Sequence, residues 1–272
     1  MMDFEYINRF VSRVAASELE TFVPVGHKLK VGVDLGTAYI VLVVMDEENN
    51  PIACEKQASG VVRDGVVVDY IGTLDIVKKL KNTLEKRIGR QLEHCAIAMP
   101  AGTDSSVKTH KYVAEGAGFE VKNILDEPTA ANTIYRISDG AVVDIGGGTT
   151  GLAIFRNGQV ERIEDEPTGG THLTLVLAGN KGISFQQAEA IKQDYSNHRE
   201  ILPVVKAVIE KMASIVGKYV DINTTDMIYL CGGTCCLAGI EDIFTDRLGI
   251  KTVKPENPFL VTPAGIALSC EI

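Results

Sequence analysis

The sequence predicts an α/β protein of two similar lobes, and three observations carry that prediction. An apolar strand ends in Asp34-Leu35-Gly36-Thr37 and runs at once into a second strand, residues 39–45, with a turn at 46–51. More than a hundred residues later the device returns. A strand ends in Asp144-Ile145-Gly146-Gly147-Gly148-Thr149 and leads into a short apolar run, 152–155, with Asn157-Gly158 behind it, the strongest short hairpin signal. Between the two copies strand and helix alternate, and 272 residues exceed the usual size of one domain.

In chain order, Phe4, Ile7, Phe10, Val11 and Val14 recur at helical spacing and predict an amphipathic helix, either folded back on its own domain or free to dock on another protein. Residues 21–30 read as a linker. After the first hairpin, Asp64-Gly65 between β-branched runs predicts a second one. Thr73 is expected to cap a helix running to Ile88, burying Leu74, Ile76, Val77, Leu80 and Leu84. A strand follows at 95–99, stopped by Pro100, then a helix over 104–115 and a strand ending near Leu125. Asp126-Glu127-Pro128 suits a helix start, with proline in the first turn and carboxylates at the positive end of the dipole.

In the second half, Thr168-Gly169-Gly170-Thr171 precedes a short apolar helix, and Ser184 with Gln187 forms a capping box that opens another. A longer helix is predicted from Pro203 to Val220, with Val204, Val208, Met212, Ile215 and Tyr219 along its stripe. The charges on these helices are expected to face solvent. A strand at 227–231 ends in Gly232-Gly233-Thr234, suited to close contact with a flat ligand such as adenosine. Small residues at 261–268 allow a helix to pack tightly against a partner helix.

The composition narrows the function. With 45% hydrophobic and 23% charged residues, and apolar runs no longer than a strand, the chain reads as a soluble globular protein rather than a membrane-spanning one. Asp3 and Glu5 stand where a signal peptide would be basic, so a cytoplasmic location is expected. A net charge of -9 without a Lys/Arg cluster argues against nucleic acid. The six cysteines have no framework spacing, and the near neighbours Cys231, Cys235 and Cys236 have no accompanying histidine, which predicts reduced, buried side chains rather than a metal site.

The chemistry lies in the two glycine loops. Backbone without side chains can turn tightly and offer several N–H groups to an anion. Gly146, Gly148 and Gly151 also satisfy G-x-G-x-x-G, but a dinucleotide fingerprint must open a helix, and here a strand follows. The loops therefore join strand to strand. The reading that follows is a clamp in which two hairpins hold a polyphosphate and Asp34 and Asp144 receive its magnesium through metal-bound waters. Glu127, at the tip of a helix between them, is placed to orient a water against a terminal phosphate.

Five elements then stand in order: Asp34–Thr37, Asp126–Ala131, Asp144–Thr149, Leu230–Thr234 and Thr262–Ala267. As a set they resemble the phosphate 1, connect 1, phosphate 2, adenosine and connect 2 motifs of the actin, sugar kinase and DnaK-type chaperone superfamily, over residues 31–268. The resemblance implies two ribonuclease-H-like lobes around a nucleotide cleft, the actin-like ATPase fold, with reduced inserted subdomains. It divides the chain into an N-terminal helix and linker (1–28), a first lobe (29–138), a second lobe (139–260) and a C-terminal helix returning to the first (261–272). Mg-ATP is the implied cofactor. Asp34 and Asp144 match the metal-proximal carboxylates; Gly36, Thr37, Gly146, Gly147, Gly148 and Thr149 match the phosphate loops. Glu127 matches the connect-helix glutamate of the chaperones, and Glu189, Lys192, Gly232 and Gly233 match residues beside the adenosine. Asp34, Glu127, Asp144 and Thr149 form the implied catalytic set. The wording of 126–131 and of Ala98-Met99-Pro100-Ala101 is similar to the DnaK branch, that of 182–192 to the bacterial actins.

Three departures bear on activity. Ala38 stands where DnaK-type proteins carry a second threonine, no counterpart of their catalytic lysine is found, and no peptide-binding domain is expected after Ile272. ATP binding with slow hydrolysis is the expectation. A closer similarity, to proteins of ethanolamine utilisation, implies a chaperone-like role with ethanolamine ammonia-lyase or microcompartment proteins as partners. The alternatives are an actin-like scaffold or filament switched by nucleotide, and a small-molecule kinase.

Overall fold

The computed structural model describes residues 4–99 and 104–272. The expected strand stop at Pro100, and Pro100 and Ala101 of the chaperone-like wording, lie outside the described residues. Residues up to Arg136 form one compact unit together with Leu260–Ile272, and Ile137–Phe259 form a second.

The first unit is built on β1 (Leu29–Leu35), β2 (Tyr39–Asp46) and β3 (Pro51–Ala58), an antiparallel meander, extended by β6 (His94–Met99) and β7 (Glu120–Asp126), both parallel to β1. The sheet order is β3-β2-β1-β6-β7. Two-residue strands β4 (Val62–Arg63) and β5 (Val66–Val67) form the Asp64-Gly65 hairpin. Helices α2 (Tyr70–Ile88) and α3 (Asp104–Gly116) cover the sheet, and Val31, Val33, Leu42, Val44, Leu84 and Val113 meet in its core. α2 begins earlier than the sequence suggested. Asp69 is its cap, accepting the Gly72 N–H at 2.9 Å, while Thr73 is buried inside the first turn with its hydroxyl turned back to the Asp69 carbonyl at 2.6 Å. Two side chains of cap-forming type lie four residues apart, and the pattern alone chose the wrong one.

The N-terminal helix α1 (Phe4–Ala16) is folded on this unit, with Ile7, Val11 and Val14 buried. The residues directly behind it, 17–22, are held in place. They run along the outer edge of β3, where the Cys54 N–H donates to the Ser17 carbonyl at 3.0 Å and the Phe22 N–H to that of Ile52 at 2.9 Å. Arg87 of α2 clasps them, reaching the carbonyls of Ser17, Glu20 and Cys54 and pairing with Glu55 at 2.6 Å.

From β7 the chain enters α4 (Glu127–Tyr135), capped by Asp126, whose Oδ1 accepts the Thr129 N–H at 2.8 Å. The C-terminal helix α9 (Val261–Ser269) lies against both α4 and β1. A Cβ on Gly32 would stand 2.5 Å from the Pro263 carbonyl, and one on Gly265 would collide with that of Ala130. Backbone meets backbone at both points, and Thr133 Oγ1 bridges the Ala130 and Gly265 carbonyls at 2.8 and 3.0 Å.

The second unit repeats the plan. β8 (Gly140–Ile145), β9 (Thr150–Arg156) and β10 (Gln159–Glu166) form the meander, and β11 (Met227–Cys231) and β12 (Lys251–Val253) extend it in parallel, giving the order β10-β9-β8-β11-β12. Helices α5 (Gly170–Lys181), α6 (Phe185–Gln193), α7 (His198–Val216) and α8 (Ile240–Leu248) supply Leu173, Leu177, Ala188, Ile201, Val205, Ile209 and Phe244 to the core. α7 starts five residues before Pro203 and ends at Val216; Met212 and Ile215 of the expected stripe are buried, Val204, Val208 and Tyr219 pack partly buried against the same core, and Ile201, Val205 and Ile209 are its fully buried additions. Proline is favoured at the start of a helix, and that preference misplaced the boundary. All six cysteines are free; five are buried, whereas Cys236 is exposed, contrary to expectation.

Candidate functional site

The second unit carries the more elaborately braced group of predicted site residues. β8 ends by presenting Asp144, 4% exposed and level with Cys231 of β11 and Gly151 of β9. The loop Gly146–Thr149 closes on itself through a 3.0 Å bond from the Gly146 N–H to the Thr149 carbonyl. Two of its carbonyls are tied down from one side: Gly146 accepts from the Gly170 N–H at 3.0 Å and from Thr234 Oγ1 at 2.7 Å, and Gly147 accepts from the Thr171 N–H at 2.8 Å. In a trans peptide the N–H points opposite to the C=O. Fixing these carbonyls therefore turns the N–H groups of Gly147 and Gly148 the other way, and among the described residues no acceptor meets those of Gly147, Gly148 or Thr149. Consecutive N–H groups held in this way make an anion-binding concavity.

The brace is the start of α5. A Cβ on Gly169 would lie 2.7 Å from the Gly148 carbonyl carbon and 2.8 Å from the Gly146 oxygen, and one on Gly170 would strike Thr234 Oγ1. Lys192 locks the arrangement from α6, donating to the Gly170 carbonyl at 3.1 Å and to Thr174 Oγ1 at 2.8 Å, and pairing with Glu189 at 2.8 Å. Burial pushes the Glu189 carboxyl up, but Lys192, Thr174 and Gln193 together hold it below the usual carboxylate range. Glu189 and Lys192 thus face inward on α6, not outward as a solvated face.

The Gly232-Gly233-Thr234 turn lies beside Asp144. Gly232 adopts φ 90°, a conformation open to glycine, and a Cβ there would run into Asp144 Oδ1. Lys254 secures the turn by donating to the carbonyls of Cys235 and Leu237 at 2.9 and 2.8 Å while paired with Glu241 at 2.9 Å. Of the predicted residues, the structure brings Asp144, Gly146–Thr149, Glu189, Lys192, Gly232 and Gly233 into one unit.

The first unit holds Asp34, Gly36, Thr37 and Glu127. Asp34 is half-buried on β1 opposite Val41 of β2, and the turn after it is short, with Gly36 pressed against the Tyr39 carbonyl and Ala38 exposed. Glu127 is the first residue of α4, half-buried where the helix dipole favours a carboxylate.

Sequence reading missed Gly169, Gly170, Thr174, Thr234 and Lys254 as site-builders. The available signal was the Gly169-Gly170 pair ahead of a helix with no capping side chain, a costly choice without a local reason. Among the described residues no group of three or more His, Cys, Asp or Glu side chains converges to hold a metal ion. Among the described residues no helix is long and apolar enough to cross a membrane.

Two family profiles match parts of the chain, "MreB/Mbl protein" over residues 56–179 and "Cell division protein FtsA" over 141–265. Ethanolamine utilization protein EutJ of Escherichia coli K12 is 41% identical over 242 residues, 89% of this chain and 86% of that protein. The crystal structure of EutJ from Carboxydothermus hydrogenoformans matches with a TM-score of 0.91 and 45% identity, covering 97% of this chain and 98% of that one. MreB5 of Spiroplasma citri, bound to AMPPNP, matches at a TM-score of 0.72 with 18% identity, covering 89% and 95%. The fold is that of the actin-like ATPases.

Proposed function

From the premise that this chain belongs to the EutJ family of ethanolamine utilisation proteins, we propose that it is an ATP-binding, chaperone-like protein that assists ethanolamine ammonia-lyase or the assembly of its microcompartment, with slow hydrolysis. The observation that carries the nucleotide step is the pair of N–H groups at Gly147 and Gly148, aimed by carbonyls tied to α5 and Thr234, with the Thr149 N–H beside them. A phosphate group is the natural acceptor for such a row. The solved relative MreB5 binds AMPPNP, which supports the same choice of ligand.

In this reading Gly146, Gly147, Gly148 and Thr149 bind phosphate oxygens, with Gly36 and Thr37 as the first unit's contribution. Glu189, Lys192, Gly232 and Gly233 shape the adenosine side, and Asp34 and Asp144 hold the waters of a magnesium ion, which supplies charge neutralisation. Glu127 orients a water, and Thr149 offers its hydroxyl beside the phosphate. Phosphoryl transfer depends mainly on positioning and charge neutralisation, and Ala38 brings no hydroxyl where chaperones have one, which supports a slow enzyme. In this reading the protein works in the cytoplasm, at or near a microcompartment.

Thermal denaturation with and without Mg-ATP tests the first step. Nucleotide at 100 times its dissociation constant should add about 2.7 kcal/mol, which raises Tm by several degrees at roughly 2–4 °C per kcal/mol. No shift at millimolar Mg-ATP removes the basis of the proposal. The chaperone step is read from recovery of inactivated ethanolamine ammonia-lyase, which should rise with this protein and ATP. A second reading, a nucleotide-switched scaffold, is favoured by the MreB/Mbl profile match; ATP-dependent sedimentation would select it.

A further inference from the structure

The two sheets share an order but are finished differently at their meander edges. β3 is covered by the chain's own residues 17–22, whereas β10 in the same topological place pairs, among the described residues, with β9 alone. The register opposes Val160 to Phe155 and Arg162 to Ile154, so Glu161 is one extra residue, a bulge. Side chains alternate along a strand, and the bulge resets the count. Val160, Ile163 and Asp165 consequently share one face with Phe155, Ala153 and Gly151, while Arg162, Glu164 and Glu166 share the other. Val160 and Ile163 are 40% and 36% exposed. The strand is anchored rather than frayed: Arg162 lies over the Tyr219 ring at 4.7 Å, and Tyr219 Oη donates to Glu166 at 2.8 Å. Glu161, Glu164, Asp165 and Glu166 against Arg162 leave it strongly acidic.

We propose that β10 accepts an extended segment of a partner protein as an added strand, one in which apolar side chains alternate with lysine or arginine. The apolar residues would cover Val160 and Ile163, and the basic ones would lie beside Glu164 and Glu166. An added strand gains affinity from main-chain hydrogen bonds and specificity from alternate side chains. Within this molecule the equivalent edge is already covered by the chain, which exchanges two main-chain hydrogen bonds with β3. A second copy of β10 is a poor occupant, because antiparallel pairing would bring carboxylates near one another. This proposal stands apart from the nucleotide reading and survives its failure.

The test titrates the full chain with a short synthetic peptide alternating lysine and valine, at low salt, following anisotropy and backbone hydrogen exchange. Saturable binding, slowed exchange confined to 159–166 and its neighbour β9, and weakening as salt rises are expected. A peptide with glutamate in place of lysine should bind about tenfold or more weakly, the two cross-strand charge pairs at Glu164 and Glu166 being reversed. Glu164→Lys should weaken the lysine peptide several-fold with unchanged melting; if that variant does not fold, the two peptides on the unaltered protein decide. Equal binding of both peptides, or no protection at 159–166, overturns the proposal. So does a Glu164→Gln variant that self-associates without binding peptide, because the charges would then serve only to guard the edge.

Discussion

The loop after Asp34 turns in three residues, Gly36 to Ala38, and is braced by the Ser59 N–H, which donates to the Ala38 carbonyl at 2.8 Å. The loop after Asp144 is held by Gly170, Thr171 and Thr234, and through Gly170 by Lys192. One sheet plan thus carries two kinds of loop. In the second unit the polar groups that α5 and the 232–234 turn would otherwise leave unpaired are used to fix the orientation of a neighbouring backbone. In the first unit close packing is spent elsewhere, at the crossing of α4 and α9 and in the Arg87 clasp on the β3 edge. Changes in the first unit should therefore register as stability, and changes around the second loop as affinity for nucleotide.

The largest expected effect belongs to the helix crossing. Gly265→Ala places a methyl group against the Ala130 carbonyl and 3.0 Å from Thr133 Oγ1, where no flexible side-chain end can yield. Overpacking of this kind costs about 3 kcal/mol, roughly 6–12 °C in Tm for a chain of this size. An unchanged melting curve would show that α4 and α9 separate freely, and with it the contrast between the two units would go.

A smaller effect, of the other kind, is expected at Lys192. Lys192→Met keeps much of the side-chain volume but removes the donors to the Gly170 carbonyl and Thr174, and leaves Glu189 without its cation. The brace on Gly146–Thr149 should loosen, and Mg-ATP affinity measured by calorimetry should fall about tenfold, since charged hydrogen bonds contribute about 1.5–3 kcal/mol and part is regained by water. Loss of stability with full affinity would reassign Lys192 to the fold alone.

What the sequence made legible followed from chain proximity. Asp144-Ile145-Gly146-Gly147-Gly148-Thr149 reads as a strand and a loop because both are local, and Asn157 and Gly158 take the positive φ values that their turn demands. Capping by Ser184 and Gln187 was equally readable, its two bonds spanning three residues. The brace was not. Thr234 meets Gly146 across 88 residues, and Lys192 meets Gly170 across 22, so no window on the chain contains both partners. The same holds for Arg87, whose contacts with Ser17 and Glu20 span 70 and 67 residues and hold the segment after α1 on the β3 edge. Pro203 failed for another reason: it is tolerated inside α7, where buried Ile201 and Val205 on either side outweigh its preference for a helix start.

The smallest effect sharpens the contrast within the second unit, where α6, α7 and the segment before α8 meet at His198. Its Nε2 lies 3.0 Å from the Lys192 carbonyl and its Nδ1 3.1 Å from the Ala238 N–H, so these partners assign a neutral ring protonated on Nε2. Burial lowers its pKa, and Lys254 lowers it further, against the opposing pulls of the Lys192 carbonyl and Asp194. A histidine with a depressed folded pKa stabilises the fold fully above its unfolded value near 6.5, and that contribution is lost as pH falls through the folded value. Protonated, Nδ1 would confront the Ala238 N–H with a second donor. Melting followed from about pH 7.5 to pH 5 should therefore fall more steeply for the unaltered protein than for His198→Gln, in which nothing at this position titrates. Because His198 reaches the same helix that carries Lys192, the Mg-ATP shift should shrink over the same window in the unaltered protein. Parallel slopes would mean that the ring is solvated and that α6 is held by Lys192 without help from α7.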